Sequence, residues 1–267
     1  GVTGEPMALA QGSPFPVAEI LVPDDYQTRN GARFKARALE YAVHQSAATA
    51  DDWIVHLDEE TRFDRVTVRE ILRHITENNQ DKAHSVVGQG PVIYGCPPAD
   101  GSVVNWFTTL GDSFRVADDF GKFRLQYHFG EAWLGMHGSF VVCPNRLEQS
   151  IGFDHGLAGS ITEDAYFALL ASAQGAKFKW INAFMYEQSP FTIPDVVKQR
   201  SRWFGGLLMV CLSEAIPWRK RVILCFATLS WLCLPINWIG TMYLMLSGSL
   251  ALSSGFFVVM LCGSWTM

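Results

Sequence analysis

From residue 222 to residue 267 the chain carries no Asp, Glu, Lys or Arg. A gap in charge of that length excludes an ordinary solvated surface segment and matches one or two membrane spans of about 20 residues each. One or two spans are expected: 222–246 is the better candidate and 250–267 would be the second, joined by Ser247-Gly248-Ser249; a very apolar core hairpin is the other reading. Arg219-Lys220-Arg221 stands directly before the first span. Cations gather on the cytosolic side of membrane segments, so the preceding part is expected in the cytosol. The plan is a globular domain over 1–218 and a membrane region with one or two transmembrane helices over 219–267. It describes a multi-pass membrane protein, of the endoplasmic reticulum or Golgi in a eukaryote and of the plasma membrane in a bacterium.

Other absences narrow the class. The six cysteines, at 96, 143, 211, 225, 233 and 262, show no CxxC spacing, which excludes a zinc ribbon and a disulfide framework. They read as buried thiols of a reducing compartment. There is no basic excess: 21 Lys and Arg face 26 Asp and Glu, a net charge of -5, which excludes the basic face of a nucleic-acid binder. No internal repeat or low-complexity segment is present. The first 16 residues lack the basic start and continuous apolar stretch of a signal peptide, and a first residue Gly1 is expected of a fragment.

What is present suffices for one sizeable domain with an appendage, at 267 residues. Short β-type runs alternate with helical patterns. Strands are expected at 20–22, 53–57, 85–87, 92–94, 139–142 and 178–181. Helices are expected over 34–43, over 66–75 with Val66, Ile71, Leu72 and Ile75 inward, over 103–120, from about 162, and from Pro194 to about Ser213. The alternation implies an α/β domain with a mostly parallel sheet. Ligands of such sheets collect at the carboxyl ends of strands.

Three polar islands carry the chemistry. In His56-Leu57-Asp58-Glu59-Glu60, an extended backbone sends Asp58 and Glu60 to one side, an oxygen pair suited to a hard divalent cation. A solvated acidic turn is the other reading. Thr162-Glu163-Asp164 reads as a helix cap with first-turn acids, or as the seat of a general base, for which Asp164 is the candidate. Upstream, the glycine-rich loop 154–160 could bring that helix start to a pocket. Gln199, Arg202 and Trp203 share one helix face at i, i+3 and i+4. They read as a buried Trp with Arg reaching outward, or as Arg202 on phosphate, Gln199 on a polar group and Trp203 on a sugar ring. Lys35 and Arg37 could meet phosphate or form a solvated face. His137-Gly138-Ser139 enters a strand and could shape an acceptor pocket.

With these residues in hand, the chain resembles the family 2 inverting glycosyltransferases of the cellulose-synthase-like kind. The Asp-x-Asp-type site at Asp58 and Glu60, Thr162-Glu163-Asp164 and Gln199-x-x-Arg202-Trp203 carry the likeness. Within that family it is similar to the egghead-type β-1,4-mannosyltransferases through Val22-Pro23-Asp24-Asp25-Tyr26, Phe34-Lys35-Ala36-Arg37, Asp112-Ser113-Phe114-Arg115 and Ser189-Pro190-Phe191-Thr192. The resemblance implies a GT-A-like fold beside membrane helices and a divalent cation, Mn or Mg, held by Asp58 and Glu60. It implies Asp164 as the base, and Glu163, Gln199, Arg202 and Trp203 along the junction of donor and acceptor. The implied donor is a nucleotide sugar, GDP-mannose, and the implied acceptor a lipid-linked sugar such as glucosylceramide in the bilayer. Glu60 stands where the family often has Asp. The first nucleotide-binding strands are largely missing before residue 20, and near Glu5 the family pattern calls for an acid where Gly4 precedes it. Three alternatives stay open: a processive polysaccharide synthase, a glycoside hydrolase using Asp58 and Asp164, and a non-catalytic membrane fragment.

Overall fold

The structure is a computed structural model that describes residues 18–79, 85–95 and 103–247. Helix α1 spans Phe34–Gln45, β1 Trp53–His56, α2 Arg65–Asn78, β2 Val86–Gln89 and β3 Val92–Tyr94. Then come α3 Val103–Asp118, a π-helical turn Asp119–Phe123, α4 Arg124–His128, β4 Val141–Pro144 and α5 Asn145–Ile151. The chain continues through a 3₁₀ turn, α6 Glu163–Ala173, β5 Lys177–Trp180, β6 Met185–Glu187, α7 Ile193–Leu212 and α8 Trp218–Leu246.

The main sheet has the order β1-β4-β2-β5, and β3 pairs with β6 in a second, two-stranded sheet. The sheet is mixed, not mostly parallel: β4 runs antiparallel to both β1 and β2, while β2 and β5 are parallel. The helical excursion from α3 to α4 delivers the chain to the carboxyl end of β2, where Val141 starts β4 opposite both Gln89 and His56. Alternation of strand and helix along a sequence is blind to such a reversal. Ile20–Val22, expected as a strand, belongs to no strand of either sheet.

Both faces of the sheet are covered, as α/β packing requires. Successive residues of β4 point to opposite faces: Val141 and Cys143 join Ala36, Leu147, Phe167 and Phe178, while Val142 joins Ile71, Val92 and Met185. On α2 the buried stripe is Thr67, Ile71, His74 and Asn78, whereas Val66 and Leu72, expected inward, are exposed. Thr67 and Asn78 hold their places on that stripe because each finds a partner: Thr67 Oγ1 donates to Phe184 O at 2.7 Å, and Lys179 Nζ donates to Asn78 Oδ1 at 2.7 Å.

A third cluster packs α6 against α7 and α8 through Tyr166, Leu169, Val210, Ile216 and Leu224. Two members of the basic run stitch the start of α8 down. Lys220 Nζ meets Glu131 Oε2 at 2.7 Å and Ser172 Oγ at 3.0 Å, and Arg221 Nη1 reaches Cys211 O at 2.8 Å. Among the described residues no helix is long and apolar enough to cross a membrane. The second expected span lies outside the described residues.

Candidate active site

The carboxyl ends of β1 and β2 and the start of β4 meet at one edge of the sheet. Asp58 leaves β1 into a turn that Thr61 N closes on Asp58 O at 3.0 Å. The segment is therefore not extended, and Asp58 and Glu60 do not alternate as strand residues; Glu59 and Glu60 sit exposed in the turn. Thr61 Oγ1 organises the turn: it accepts from Asp58 N at 3.1 Å, lies 3.0 Å from Ser139 Oγ and donates to buried Glu187 Oε1 at 2.9 Å. Arg62 and Tyr186 exchange two backbone hydrogen bonds of 2.8 Å, fastening the turn to β6. Partial desolvation of this exposed side chain raises the Glu60 carboxyl above its ordinary range, helped by the charges of Glu187 and Asp58.

Lys35 arrives from the first turn of α1. The chain before it is braced from across the fold: Asp154 accepts from Asn30 N at 2.6 Å and Ala32 N at 3.2 Å, and Arg33 N donates to Ser160 Oγ at 2.9 Å. Loop 154–160 thus serves the start of α1. Phe34 has φ +54, a left-handed conformation that a bulky residue rarely holds unless its surroundings force it. Lys35 Nζ then lies 2.6 Å from Asp58 Oδ1, 4.0 Å from Glu163 Oε1 and 3.4 Å from Gly138 O. Arg37, the other basic candidate on α1, binds no site residue; its guanidinium holds the backbone of the preceding turn at Pro23, Asp24 and Tyr26.

Glu163 and Asp164 open α6. Thr162 holds the N-cap position, but its side chain makes no cap hydrogen bond and its buried Oγ1 has no partner among the described residues. The expected side-chain cap is therefore not formed. Asp164 Oδ1 accepts from Ala165 N at 2.7 Å. Gly138 passes so close that a Cβ there would stand 3.3 Å from Asp164 Oδ2. Burial raises the Asp164 carboxyl, opposed by its Ala165 hydrogen bond and by Lys35 and His137. Burial, with the charge of Asp164, lifts Glu163 to about 7. Lys35, His137, Gly138, Glu163 and Asp164 line one pocket, whose inner wall adds Leu39, Met136 and Phe167 and the His56–Glu148 pair at 2.6 Å.

The third island sits on α7, which packs against the start of α6. A Cβ at Gly206 would fall 2.7 Å from Thr162 Cγ2 and 2.9 Å from Ile161 Cγ2. Gln199, Trp203 and Gly206 share a helix face, so the contact at Gly206 carries the others toward the same region. Trp203 is half-buried with two guanidiniums against its ring, Arg200 at 4.5 Å and Arg115 at 4.7 Å from the centroid. Gln199 Oε1 is buried without a partner among the described residues, and Arg202 is exposed.

Residues 53–266 match the model of the glycosyl transferase family group 2. The chain belongs to that family. It is 42% identical over 224 residues to the β-1,4-mannosyltransferase egh of Drosophila melanogaster, covering 83% of this chain and 47% of the relative. It is 41% identical over 224 residues to the β-1,4-mannosyltransferase bre-3 of Caenorhabditis elegans, with the same coverage. The chain spans about half the length of these curated relatives.

Of the residues expected at the site of this family 2 chain, the structure gathers Lys35, Asp58, Glu163 and Asp164 in one network, with Ser139 one hydroxyl away. Glu60 is near enough to Asp58 to feel its charge. Gln199 and Trp203 stand on the adjoining helix, Arg202 faces solvent there, and Glu5 lies outside the described residues. Sequence reasoning missed Thr61, Glu187, and Arg200 with Arg115. Arg200 was visible inside the third island, and Arg115 inside a segment that carried the family likeness. A divalent cation fits the acids present. Asp58 and Glu60 supply two carboxylates, the hard oxygen donors such a cation takes, enough once donor phosphates complete the shell. Among the described residues no group of three ligands is preformed.

Proposed function

We propose that this chain is the catalytic part of an inverting glycosyltransferase that passes mannose from GDP-mannose to a lipid-linked acceptor such as glucosylceramide, forming a β-linkage. Its relatives' names supply the sugar and the linkage. One observation carries the chemistry: a half-buried carboxylate, Asp164, lines the same pocket as Lys35, whose ammonium pairs with Asp58 just after β1.

In this mechanism the acceptor hydroxyl attacks the anomeric carbon while Asp164 takes its proton. The bond to the leaving diphosphate breaks with its electron pair going to phosphate. The upward shift of Asp164 strengthens it as a base. Lys35, freed from Asp58, is the ammonium for the departing phosphate. A divalent cation, Mg or Mn, held by Asp58 and Glu60, would neutralise the developing diphosphate charge. Trp203 contacts the acceptor sugar, and Gln199 supplies an oxygen in need of a hydroxyl donor. The charge-free stretch 222–267 anchors the enzyme in the bilayer with its catalytic domain on the cytosolic side, on endoplasmic reticulum or Golgi membranes in a eukaryote or the plasma membrane in a bacterium.

The test is to express the protein in membranes, supply a panel of labelled nucleotide sugars with glucosylceramide, and analyse the labelled lipid. A β-linked mannosyl lipid formed from GDP-mannose alone is expected. Transfer from another nucleotide sugar, or a long soluble polymer as product, would replace this reading.

A further inference from the structure

We propose that Asp112 and Arg115 of α3, a helix outside the three sequence islands, together with Arg200 of α7, are positioning residues that hold the Trp203 indole in place. The proposal rests on the reading of Trp203 as an acceptor contact.

Asp112 is 1% exposed and receives both arginines on the same oxygen: Arg200 Nη2 hydrogen-bonds to Oδ1, and Arg115 Nη1 lies 3.9 Å from it. Its other oxygen, Oδ2, is buried with no hydrogen-bond partner among the described residues, so the two guanidiniums hold this carboxylate. Each arginine also lies against the indole of Trp203, and Arg115 continues to the ring of Tyr94, with its guanidinium carbon 3.9 Å from that centroid. The chain of contacts thus runs from β3 through α3 to α7. Tyr94 in turn stands beside Glu187 on the paired strand β6, and Glu187 holds Thr61 in the Asp58 turn.

This is an expensive way to pack a helix against a helix. Two cations share one buried anion, and burial together with Arg115 lowers the Arg200 guanidinium below its ordinary value. Replacing buried ions by apolar residues of similar volume is often neutral or stabilising, so stability alone does not account for the arrangement. What it supplies is orientation. A guanidinium is a rigid plane that both stacks on an indole and hydrogen-bonds to a carboxylate, whereas an ammonium does neither in the same geometry. Trp203, only half-buried, would otherwise be free to change rotamer.

The experiment compares Asp112→Asn, Arg115→Lys and Arg200→Lys in the purified protein, with Trp203→Phe as reference. KM is measured separately for donor and acceptor. Indole emission is read as the difference between each protein and its Trp203→Phe counterpart. The acceptor KM is expected to rise about three- to tenfold, the range of one or two cation–π contacts, with the donor KM within about twofold. The charge-conserving lysines should fail to rescue, and the Trp203 difference spectrum should shift in all three variants. An unchanged acceptor KM in folded variants, equal rises in both KM values, or full rescue by lysine would overturn the proposal. Should Asp112→Asn not fold, the two lysine variants decide. If Trp203→Phe itself leaves the acceptor KM unchanged, the acceptor reading fails, while the difference spectrum still reports whether the indole is held.

Discussion

Lys35 Nζ lies 2.6 Å from Asp58 Oδ1, so the ammonium from α1 occupies a carboxylate that a donor-bound cation would claim. Burial pulls the Lys35 pKa down, but the hydrogen bond and charge of Asp58, with Glu163 and Asp164, carry it above its ordinary value. The same ammonium also faces Glu163, at 4.0 Å. Lys35→Met should leave these acids uncompensated and remove a charge-assisted contact to phosphate, worth about 1.5–3 kcal/mol. Calorimetric titration with GDP and Mn²⁺ should then show affinity reduced by about tenfold or more. An unchanged affinity would mean that Lys35 serves the apo network alone.

Glu163 makes a stability signature of its own. Its folded pKa, about 7, stands above the unfolded value of 4.5, so between these values the folded state binds more protons. Stability from this group is present below the unfolded pKa and is lost as pH rises through the folded one. Glu163→Gln removes the penalty. It should be more stable than wild type at pH 8 by about 1–3 kcal/mol, with the advantage fading below pH ~4.5. Thermal melts at the two pH values measure it; a constant difference would contradict the electrostatic origin.

Local pattern was enough to place Asp58 after a strand, Asp164 at a helix start and Trp203 on a helix, and to find most elements, because strand ends, helix starts and i, i+4 faces are written in consecutive residues. Contacts between distant residues were not legible. Thr61 meets Ser139 and Glu187 across separations of 78 and 126 residues, and Arg200 meets Asp112 across 88. The Asp58 turn was read as extended because the hydrogen bond that closes it leaves no mark on residue type. Strand direction failed for a related reason: it depends on where α3 and α4 set the chain down. On α2 the hydrophobic stripe misled, since the partners of Thr67 and Asn78 lie on other elements.

Asp164→Asn separates binding from chemistry. The amide keeps the shape and the hydrogen bond from Ala165 N but cannot take a proton. Donor binding should stay nearly intact while transfer falls by about 10²-fold or more. In the wild-type protein, transfer should decline as pH falls through the apparent pKa of the Glu163–Asp164 pair, since both acids are raised and share a pocket. Pre-steady-state donor binding and pH–rate profiles address both points. A matching loss of donor affinity would assign Asp164 to the donor side instead.

Gly206 tests whether α7 and the amino end of α6, which carries Asp164, are mechanically joined. No φ constraint demands glycine there; the demand is space, since a Cβ would meet Thr162 Cγ2 at 2.7 Å, Ile161 Cγ2 at 2.9 Å and Thr162 Oγ1 at 2.9 Å. These are chain neighbours of Glu163 and Asp164, so relieving the clash by a shift of either helix would move the start of α6 and Asp164 with it. Gly206→Val should cost about 1–3 kcal/mol, as overpacking does, and Gly206→Ala less. Because misplacing a reacting group by about 1 Å can cost 10²-fold in rate, activity should fall further than stability in both variants. Comparing kcat with the melting temperature across Gly, Ala and Val decides the matter: a rate that merely tracks the folded fraction would show that the junction supports the fold without placing Asp164.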